Sequence, residues 1–298
     1  MIPVDNTSNF GHYKPNFLAK IIIHITRKVG KNWFSKRAIF LLRRIAILCS
    51  GDCIDTELFN ARLRLYTRGN VSEKRALFSP QIFEEYEREF IAKRCLDNSI
   101  FIDIGSNIGL YSFSVGAEYK KFKDTKIFSI EPHPSLFKRL KYNASQNTDI
   151  PIYPREIALM GKSGKFRLKT PDDNLGQGIV SSSGEHSVIA KSLLDFIHDE
   201  QINNISAMKI DVEGNEESVL IPFLDSADKK LLPLIIVIEK NDDLWRDDLL
   251  KKLHEKGYTV KKKTKMNYIL ELTAWTSQFN KLNIILSFIY FRQAPNLT

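Results

Sequence analysis

The sequence predicts an α/β protein, in which a mostly parallel sheet with helices on both faces follows a helical extension. From residue 99 onward, short apolar runs alternate with stretches of helical periodicity, a rhythm typical of a parallel sheet. A glycine-containing turn follows the first apolar run, and acidic residues follow four of the runs. The length of 298 residues and the 43% share of hydrophobic residues allow one large domain with a full core, and they exclude a disordered or disulfide-scaffold chain.

The first 50 residues carry most of the net charge. They contain nine basic residues and one acid, whereas the other 248 residues contain 35 basic and 34 acidic residues. A helix is expected from Phe17, with basic residues opposite an apolar face. That apolar face consists of Phe17, Leu18, Ile21, Ile22, Ile25 and Val29. A second, more apolar helix is expected over 37–49, and we assign residues 1–78 to a basic helical N-terminal extension.

Two hypotheses describe this extension. We expect its first helix to pack the apolar face on the core and to present the basic face to solvent; the alternative is peripheral contact of residues 17–49 with an anionic membrane. The longest apolar tract, 38–49, is broken by Arg43 and Arg44 and is too short to span a bilayer. The first 16 residues lack a signal-peptide pattern, so we expect a cytoplasmic location, or, under the alternative, the inner face of the membrane.

The sheet domain is assigned to residues 79–275 and a C-terminal tail to 276–298. Ser79 as N-cap and Pro80 after it predict the start of a helix that continues to about residue 96. The elements expected next are strand 100–104, helix 108–119, strand 126–130, helix 134–146, a strand near 151–159, a hairpin-like arm 164–168, strand 207–212, helix 216–224, strand 234–239, helix 247–256 and a terminal pair of strands, 258–263 and 268–272. The Gly- and Ser-rich stretch 171–187 is expected to be a loop of the kind that often forms a lid.

The turn after the first strand has the composition of a ligand-binding loop, DIGSNIG at 103–109. Gly105 permits a tight turn, Asn107 tolerates positive φ, and Gly109 lets the next helix pack close to a ligand. The loop lacks the GxGxxG pattern of dinucleotide sites. The carboxylate of Asp103 would repel a pyrophosphate and attract a ligand with ammonium and sulfonium groups. The alternative is a turn that needs its glycines only for backbone geometry.

Three further strand ends carry acids. Glu131 follows the second strand, 22 residues after Gly109, where such sheets hold ribose hydroxyls through a carboxylate; a surface acid is the alternative. Asp211 and Glu213 follow another strand, and Glu239 ends the apolar run LIIVIE. Carboxylates at the ends of buried strands need a cation or a hydrogen-bond donor. The four strand ends together predict a pocket for a cationic ligand.

In combination, these motifs resemble the FkbM family of S-adenosylmethionine-dependent methyltransferases. The resemblance covers roughly residues 66–272. It is carried, in chain order, by LFSPQ at 77–81, DIGSNIGLYS at 103–112, EPHP at 131–134, Asn143, IAL at 157–159, KIDVEG at 209–214, GY at 257–258 and NYIL at 267–270.

The resemblance implies the class I methyltransferase fold, a Rossmann-like sheet of seven strands with the last one antiparallel. It also implies O-methylation of a hydroxyl on a sugar, a glycan or another small secondary metabolite, with S-adenosyl-L-methionine as donor. The residues it places at the cofactor are Asp103, Gly105, Ser106, Asn107 and Gly109 at the methionine part, Glu131 at the ribose, Pro132, His133 and Ala158 at the adenine, and Asp211 at the reaction centre.

Methyl transfer to a hydroxyl requires a base close to that hydroxyl. Asp211, Glu213 and Glu239 are the candidates, and the resemblance leaves the choice among them open; His133 is expected beside the adenine rather than as the base. Clustered acids can also hold Mg²⁺, as in some O-methyltransferases, although the spacing does not require it. No metal site is expected at the cysteines, which are Cys49, Cys53 and Cys95.

Three rival classes stay open. A nucleotide-dependent oxidoreductase shares the sheet and the glycine loop, but Asp103 disfavours it. A methyltransferase acting on RNA or another macromolecule fits the basic N-terminus. However, DVEG at 211–214 stands where amino-methylating enzymes carry [D/N]PP[Y/F/W], and no RNA-binding module is recognisable, so no nucleic-acid partner is expected. A non-enzymatic scaffold would not bind S-adenosylmethionine at all.

Overall fold

The computed structural model describes residues 3–30, 33–171, 174–181, 184–245 and 248–273; the predicted tail 276–298 lies outside them. The helices in this part of the chain are α1 (Phe17–Lys28), α2 (Trp33–Ser50), α3 (Val71–Phe78), α4 (Glu85–Ala92), α5 (Leu110–Tyr119), α6 (Pro134–Ser145), α7 (Leu193–Asp199), α8 (Glu216–Ser226) and α9 (Leu249–Glu255). The strands are β1 (Cys53–Leu58), β2 (Ala61–Tyr66), β3 (Ile100–Ile104), β4 (Lys126–Ile130), β5 (Ile152–Arg155), β6 (Ala158–Met160), β7 (Gly164–Lys169), β8 (Ile179–Ser181), β9 (His186–Ser192), β10 (Ala207–Ile210), β11 (Ile235–Glu239), β12 (Tyr258–Lys263) and β13 (Asn267–Leu272).

The main sheet has seven strands in the order β12-β13-β11-β10-β3-β4-β5, and β13, the last strand of the described residues, is antiparallel to both of its neighbours. Helices cover both faces, so the central strands are apolar on both sides. Ile102 and Ile104 of β3 pack toward α7, α8 and α9, whereas Phe101 packs toward α4 and α5. The predicted fold class, with its mostly parallel sheet and antiparallel last strand, is confirmed.

A second, four-stranded sheet in the order β6-β9-β7-β8 flanks the main sheet. The strand predicted near 151–159 is in fact two strands: β5 is the edge strand of the main sheet, and β6 pairs in parallel with β9. The predicted arm is β7, which pairs with β8 and β9. The apolar pattern across 151–159 gave no sign that the chain passes there from one sheet to the other.

The helix predicted from Ser79 to about residue 96 is interrupted. Residues Pro80–Ile82 form a single 3₁₀ turn, and Glu84 adopts a left-handed conformation with φ +43° before α4 begins. Arg88 stabilises this break, since its buried guanidinium donates to the carbonyl oxygens of Phe83 (2.7 Å) and Pro80 (3.2 Å). The Ser79 hydroxyl donates to the Arg75 carbonyl oxygen instead of capping a helix.

The segment 1–78 was predicted to be a helical extension, but it also contains two strands, since β1 and β2 form an antiparallel hairpin within it. The hairpin and helices α1 to α3 share one apolar core with α5 and α6. Arg64 of β2 is buried and pairs with Asp55 of β1 at 2.8 Å. Its guanidinium also donates to the carbonyl oxygens of Asp5, Ser8 and Asn9, which ties the first residues to the hairpin.

Within helix α1, the buried face shares only Ile22 with the predicted one. Its buried residues are Ala19, Ile22, Ile23 and Thr26. Of the predicted apolar face, Phe17, Leu18, Ile21 and Ile25 remain exposed to solvent. The helix has two apolar stripes, and the one with the small side chains of Ala19 and Thr26 packs on the core. In the described part of the chain, no helix has both the length and the apolar character needed to cross a bilayer.

We expect the Arg64→Ala substitution to lower the free energy of unfolding by about 3–5 kcal/mol, because it leaves the buried carboxylate of Asp55 without its cation. The control is Arg68→Ala, which breaks an exposed ion pair with Asp52 (2.8 Å) and should cost less than about 1 kcal/mol. Urea denaturation measures both values. Similar losses for the two variants would contradict the structural role given to the buried pair.

Candidate functional site

A cavity of about 240 Å³ lies at the carboxyl ends of β3, β4, β10 and β11. Most residues predicted for the site meet here because parallel strands end at the same edge of the sheet. The predicted residues that line the cavity are Gly105, Ser106, Asn107, Glu131, Pro132, Ala158, Asp211, Glu213 and Glu239. The structure therefore brings together the strand-end residues of four separate strands.

Three predicted residues do not line the cavity. Asp103 is fully buried on the face of β3 that α5 covers, and its Oδ2 accepts a hydrogen bond from the Ser112 hydroxyl at 2.6 Å. Gly109, with φ +85°, provides space for α6, since a Cβ atom there would lie 2.6 Å from Cδ1 of Leu140. His133 caps α6, and its Nδ1 accepts from the backbone N–H of Ser135 at 3.1 Å.

The position of His133 also argues against a role as base. Burial, with His186 nearby, lowers the pKa of its imidazole to about 4. The ring is thus neutral at pH 7, and the nitrogen that lacks a proton is occupied by the helix cap.

Gly105 is required by backbone packing. Its φ is +74°, and a Cβ atom there would lie only 1.8 Å from the carbonyl oxygen of Asp211. The backbone N–H groups of Gly105 and Ser106 both donate to the Ile130 carbonyl oxygen, at 3.0 and 2.9 Å. The turn after β3 is therefore held between the ends of β4 and β10, and its backbone forms part of the cavity wall.

Glu131 is held by two backbone amides. The N–H of Asn107 donates to its Oε2 and the N–H of His133 donates to its Oε1, both at 2.8 Å. Burial raises the pKa of this carboxyl to about 7. A carboxylate oxygen accepts more than one hydrogen bond, so both oxygens keep acceptor capacity for a ligand with two neighbouring hydroxyls.

Two buried hydroxyls on the cavity wall lack a hydrogen-bond partner within the described residues: Ser106 Oγ and Tyr111 Oη. Buried polar atoms are normally paired, so these atoms indicate the places at which a bound molecule makes polar contacts. Together with the free acceptor capacity of Glu131 and the surrounding acids, they fit a ligand that has hydroxyls and a positive charge.

Lys209 lines the cavity and was not among the predicted site residues. Parallel pairing of β3 with β10 places it beside Asp103, with 3.9 Å between its Nζ and Asp103 Oδ1. Its Nζ donates to Asp211 Oδ2 at 2.9 Å. Although burial opposes the charge, Asp211 and Asp103 raise the pKa of Lys209, so the ammonium persists. The sequence feature that could have identified Lys209 as a site residue is its place in the KIDVEG motif at 209–214.

Glu216 fixes the loop that carries the acids, and it was also missed. Its buried carboxylate accepts from the backbone N–H groups of Val212 and Gly214, both at 3.1 Å. It also accepts from the side chains of Asn241 (3.1 Å) and Trp245 (3.0 Å). These four bonds join the loop after β10 to the loop after β11. The first helical turn of α8 therefore positions the residues at the cavity.

The cavity has more acids than cations around it. Burial, with Asp211 as neighbour, raises the pKa of Glu213 to about 7 and that of Glu239 to about 8. Glu84, beside Lys209, likewise has a raised pKa because of burial, and it accepts from Asn267 at 3.1 Å. Among the described residues, no group of three or more His, Cys, Asp or Glu side chains has an arrangement suited to a metal ion.

The cavity is covered by α3 and by part of the predicted loop 171–187. Asn174, Gly176 and Gln177 line it from the loop side. The loop is docked through Leu175, whose side chain is buried and whose N–H donates to the Gly69 carbonyl oxygen at 2.9 Å. Residues that the family resemblance left unassigned thus form the outer wall.

A family model described as the methyltransferase FkbM domain matches residues 103–260. Hexuronic acid methyltransferase AglP from Haloferax volcanii is 26% identical over 125 residues, which are 42% of this chain and 49% of that relative. The match thus spans about half of the relative's length. Among solved structures, methyltransferase FkbM from Methylobacillus flagellatus shares 16% identity, with 67% of this chain and 54% of that chain covered and a TM-score of 0.42. An rRNA methylase from Streptococcus thermophilus shares 10% identity, with 63% and 94% covered and a TM-score of 0.37.

We expect Gly105→Ala to destabilise the protein by at least about 2 kcal/mol more than Gly69→Ala, because overpacking adds to the cost of positive φ. The two glycines share φ +74°, but a Cβ atom on Gly69 would have no atom within 4 Å. Urea denaturation of both variants separates the contact with Asp211 from backbone strain. Equal destabilisation would show that the close approach to Asp211 is unimportant.

The raised pKa values predict how the stability of the ligand-free protein depends on pH. Glu239 holds a proton in the folded state up to about pH 8, whereas the unfolded chain releases it near its ordinary value, so this group makes folding less favourable as pH rises between the two. Glu239→Gln should therefore raise the melting temperature by several degrees at pH 8 and change it little near pH 5. Glu255→Gln, at an exposed acid, is the control. A shift that does not depend on pH would contradict this account.

Proposed function

Since the chain belongs to the FkbM methyltransferase family and is therefore a methyltransferase, we propose that it transfers a methyl group from S-adenosyl-L-methionine to a hydroxyl of a sugar, glycan or small metabolite. The observation that supports this most directly is the set of carboxylates that follow three strands around one cavity, those of Glu131, Asp211, Glu213 and Glu239, with the single buried ammonium of Lys209 among the described residues there. Such a cavity favours a ligand with positive charge.

The residues that would hold the cofactor are those whose polar atoms remain available. Glu131 would accept hydrogen bonds from the ribose hydroxyls, because both of its oxygens keep acceptor capacity. The backbone of Gly105 and the hydroxyl of Ser106 would face the methionine part. Pro132 and Ala158 are on the cavity wall, where they would flank the adenine. Asp103 does not line the cavity, so it would influence the cofactor through Lys209 and not through direct contact.

S-adenosylmethionine supplies, when bound, a methyl group activated by its sulfonium. The residues of the chain must then place the acceptor hydroxyl in line with that methyl group and remove the hydroxyl proton. The ion pair between Lys209 and Asp211 fixes the side chain of Asp211, and Glu216 fixes the loop around it. These bonds hold the acids in place before any ligand arrives.

Of the three candidate bases, we propose Glu213. Asp211 is occupied by Lys209, and Glu239 accepts from Asn241 at 2.8 Å. The Glu213 side chain has no hydrogen-bond partner among the described residues and lies on the cavity wall, and burial raises its pKa to about 7. A base is most effective when its pKa lies near the working pH.

The proposed acceptor class rests on the sugar-modifying relative, which matches over 42% of this chain. The test is incubation of the full chain with methyl-labelled S-adenosylmethionine and, separately, hexuronic-acid glycans, neutral glycans and total RNA. We expect label in a glycan, released by acid as an O-methyl sugar. Label in RNA alone would overturn the acceptor class, and a failure of S-adenosylmethionine to raise the melting temperature would overturn the proposed donor.

We expect Glu213→Gln to lower kcat by about 10²–10⁴-fold while the affinity for S-adenosylmethionine changes little, because the base acts on the acceptor. In the parent enzyme, kcat should fall about tenfold per pH unit below pH 7, since only the carboxylate removes a proton. This dependence should be absent in the variant. Calorimetry and steady-state kinetics measure the two effects, with Glu255→Gln as control. An unchanged pH profile in Glu213→Gln would assign the base elsewhere.

A further inference from the structure

Helices α1 and α2 form a hairpin fixed to the body of the protein. The side chain of Asn16, which caps α1, donates to the carbonyl oxygen of Cys49 at 2.8 Å, so the start of α1 meets the end of α2. Arg27 of α1 donates to the carbonyl oxygen of Leu77 at 2.9 Å, and Gln81 donates to the carbonyl oxygens that end α1. The hairpin therefore has a defined inner and outer side.

The outer side is apolar. The exposed large apolar residues of the two helices are Phe17, Leu18, Ile21, Ile25, Trp33, Phe34, Phe40, Leu41, Ile45 and Leu48, and we call them the outer face. They are half of the exposed large apolar side chains in the described part of the chain, within about a tenth of its length. The core does not explain them, since Ile22, Ile23 and Ile39 already fill the inner side. A patch of this density marks an interaction surface.

The same side is basic. Neither helix contains an acid, and Lys20, Lys28, Arg37 and Arg44 are exposed. Arg37 lies over the ring of Trp33 (4.2 Å) and Arg44 over the ring of Phe40 (4.9 Å). Aromatic and aliphatic side chains next to arginines are typical of helices that lie in the headgroup region of a bilayer.

The basic surface continues toward the cavity. Arg75 of α3 lines the cavity, and its guanidinium has no hydrogen bond or ion pair among the described residues. Burial, together with the charges of Arg44 and Arg75, lowers the pKa of Arg43 in α2. Negative charge near these residues would therefore be attracted to both the hairpin and the cavity entrance.

We propose that the outer face of the α1–α2 hairpin binds the surface of membranes that contain anionic lipids. The apolar side chains enter the interface, and the arginines and lysines contact the lipid headgroups. Charge complementarity favours this occupant over a second copy of the chain, because two such faces would bring like charges together without an acid on either side. A membrane also fits this face better than nucleic acid does. The exposed side chains of Phe34, Leu41 and Leu48 can enter the apolar part of a bilayer, whereas nucleic acid has no apolar phase to accept them.

The test is co-sedimentation of the full chain, without cofactor or acceptor, with two kinds of vesicle. We expect binding to phosphatidylcholine vesicles that contain about 30% phosphatidylglycerol to be at least about tenfold stronger than binding to pure phosphatidylcholine. The variant Phe34→Gln/Leu41→Gln/Leu48→Gln should lose at least about tenfold in affinity for the anionic vesicles. Its melting temperature should not fall, because all three side chains are exposed.

The control variant Ile189→Gln/Val260→Gln changes exposed apolar residues elsewhere and should bind like the parent. The emission of Trp33 should shift to the blue on binding, and this shift should be absent in Trp33→Phe while sedimentation with vesicles persists. The proposal is overturned if the chain does not bind anionic vesicles, or if the triple variant binds as the parent does. It is also overturned if the triple substitution instead dissolves a dimer seen in sedimentation velocity. Since no methyl transfer is measured, these outcomes are independent of the proposed activity.

Discussion

The candidate site depends on the ion pair between the buried ammonium of Lys209 and the half-buried carboxylate of Asp211. Lys209 lies beside Asp103 because β10 pairs in parallel with β3, and its ammonium reaches Asp211 at the end of the same strand. The backbone of Asp211 is fixed as well, since its carbonyl oxygen packs against Gly105. The position of the Asp211 carboxylate therefore depends on three features: the register of β3 and β10, the turn at Gly105 and the ammonium of Lys209. Without the ammonium, Asp103 would be a buried charge with no cation near it.

The site is built for a ligand at some cost to the ligand-free protein. Burial raises the pKa values of Glu131, Glu213 and Glu239 to between about 7 and 8, so these groups resist ionisation until a cation or a hydrogen-bond donor arrives. A cationic cofactor would relieve this opposition, and its binding would be linked to the charge state of Glu213, the proposed base. Glu216 keeps the loops rigid meanwhile, so that binding energy is not needed to order them.

The sequence predicted which strand ends carry the acids better than it predicted the direction of individual side chains. The alternation of strands and helices placed the acids at one edge because parallel strands end together. It could not show that Asp103 points away from the cavity, since a strand buried on both faces has no polar alternation. The interrupted helix goes with contacts of the Arg88 side chain to carbonyl oxygens five and eight residues earlier, and Glu84 accepts from the distant Asn267. No pattern in the sequence indicated these contacts. The outer face of α1 was misassigned because both stripes of that helix are apolar.

The most direct test of the account is a crystal structure of the full chain with S-adenosylhomocysteine. Both ribose hydroxyls should lie within hydrogen-bond distance of Glu131, and the sulfur should face the space between Asp211 and Glu213. The adenine should lie against Pro132 and Ala158. A ligand bound away from the carboxyl edge of the sheet, or a ribose without contact to Glu131, would contradict the assignment of this cavity as the cofactor site.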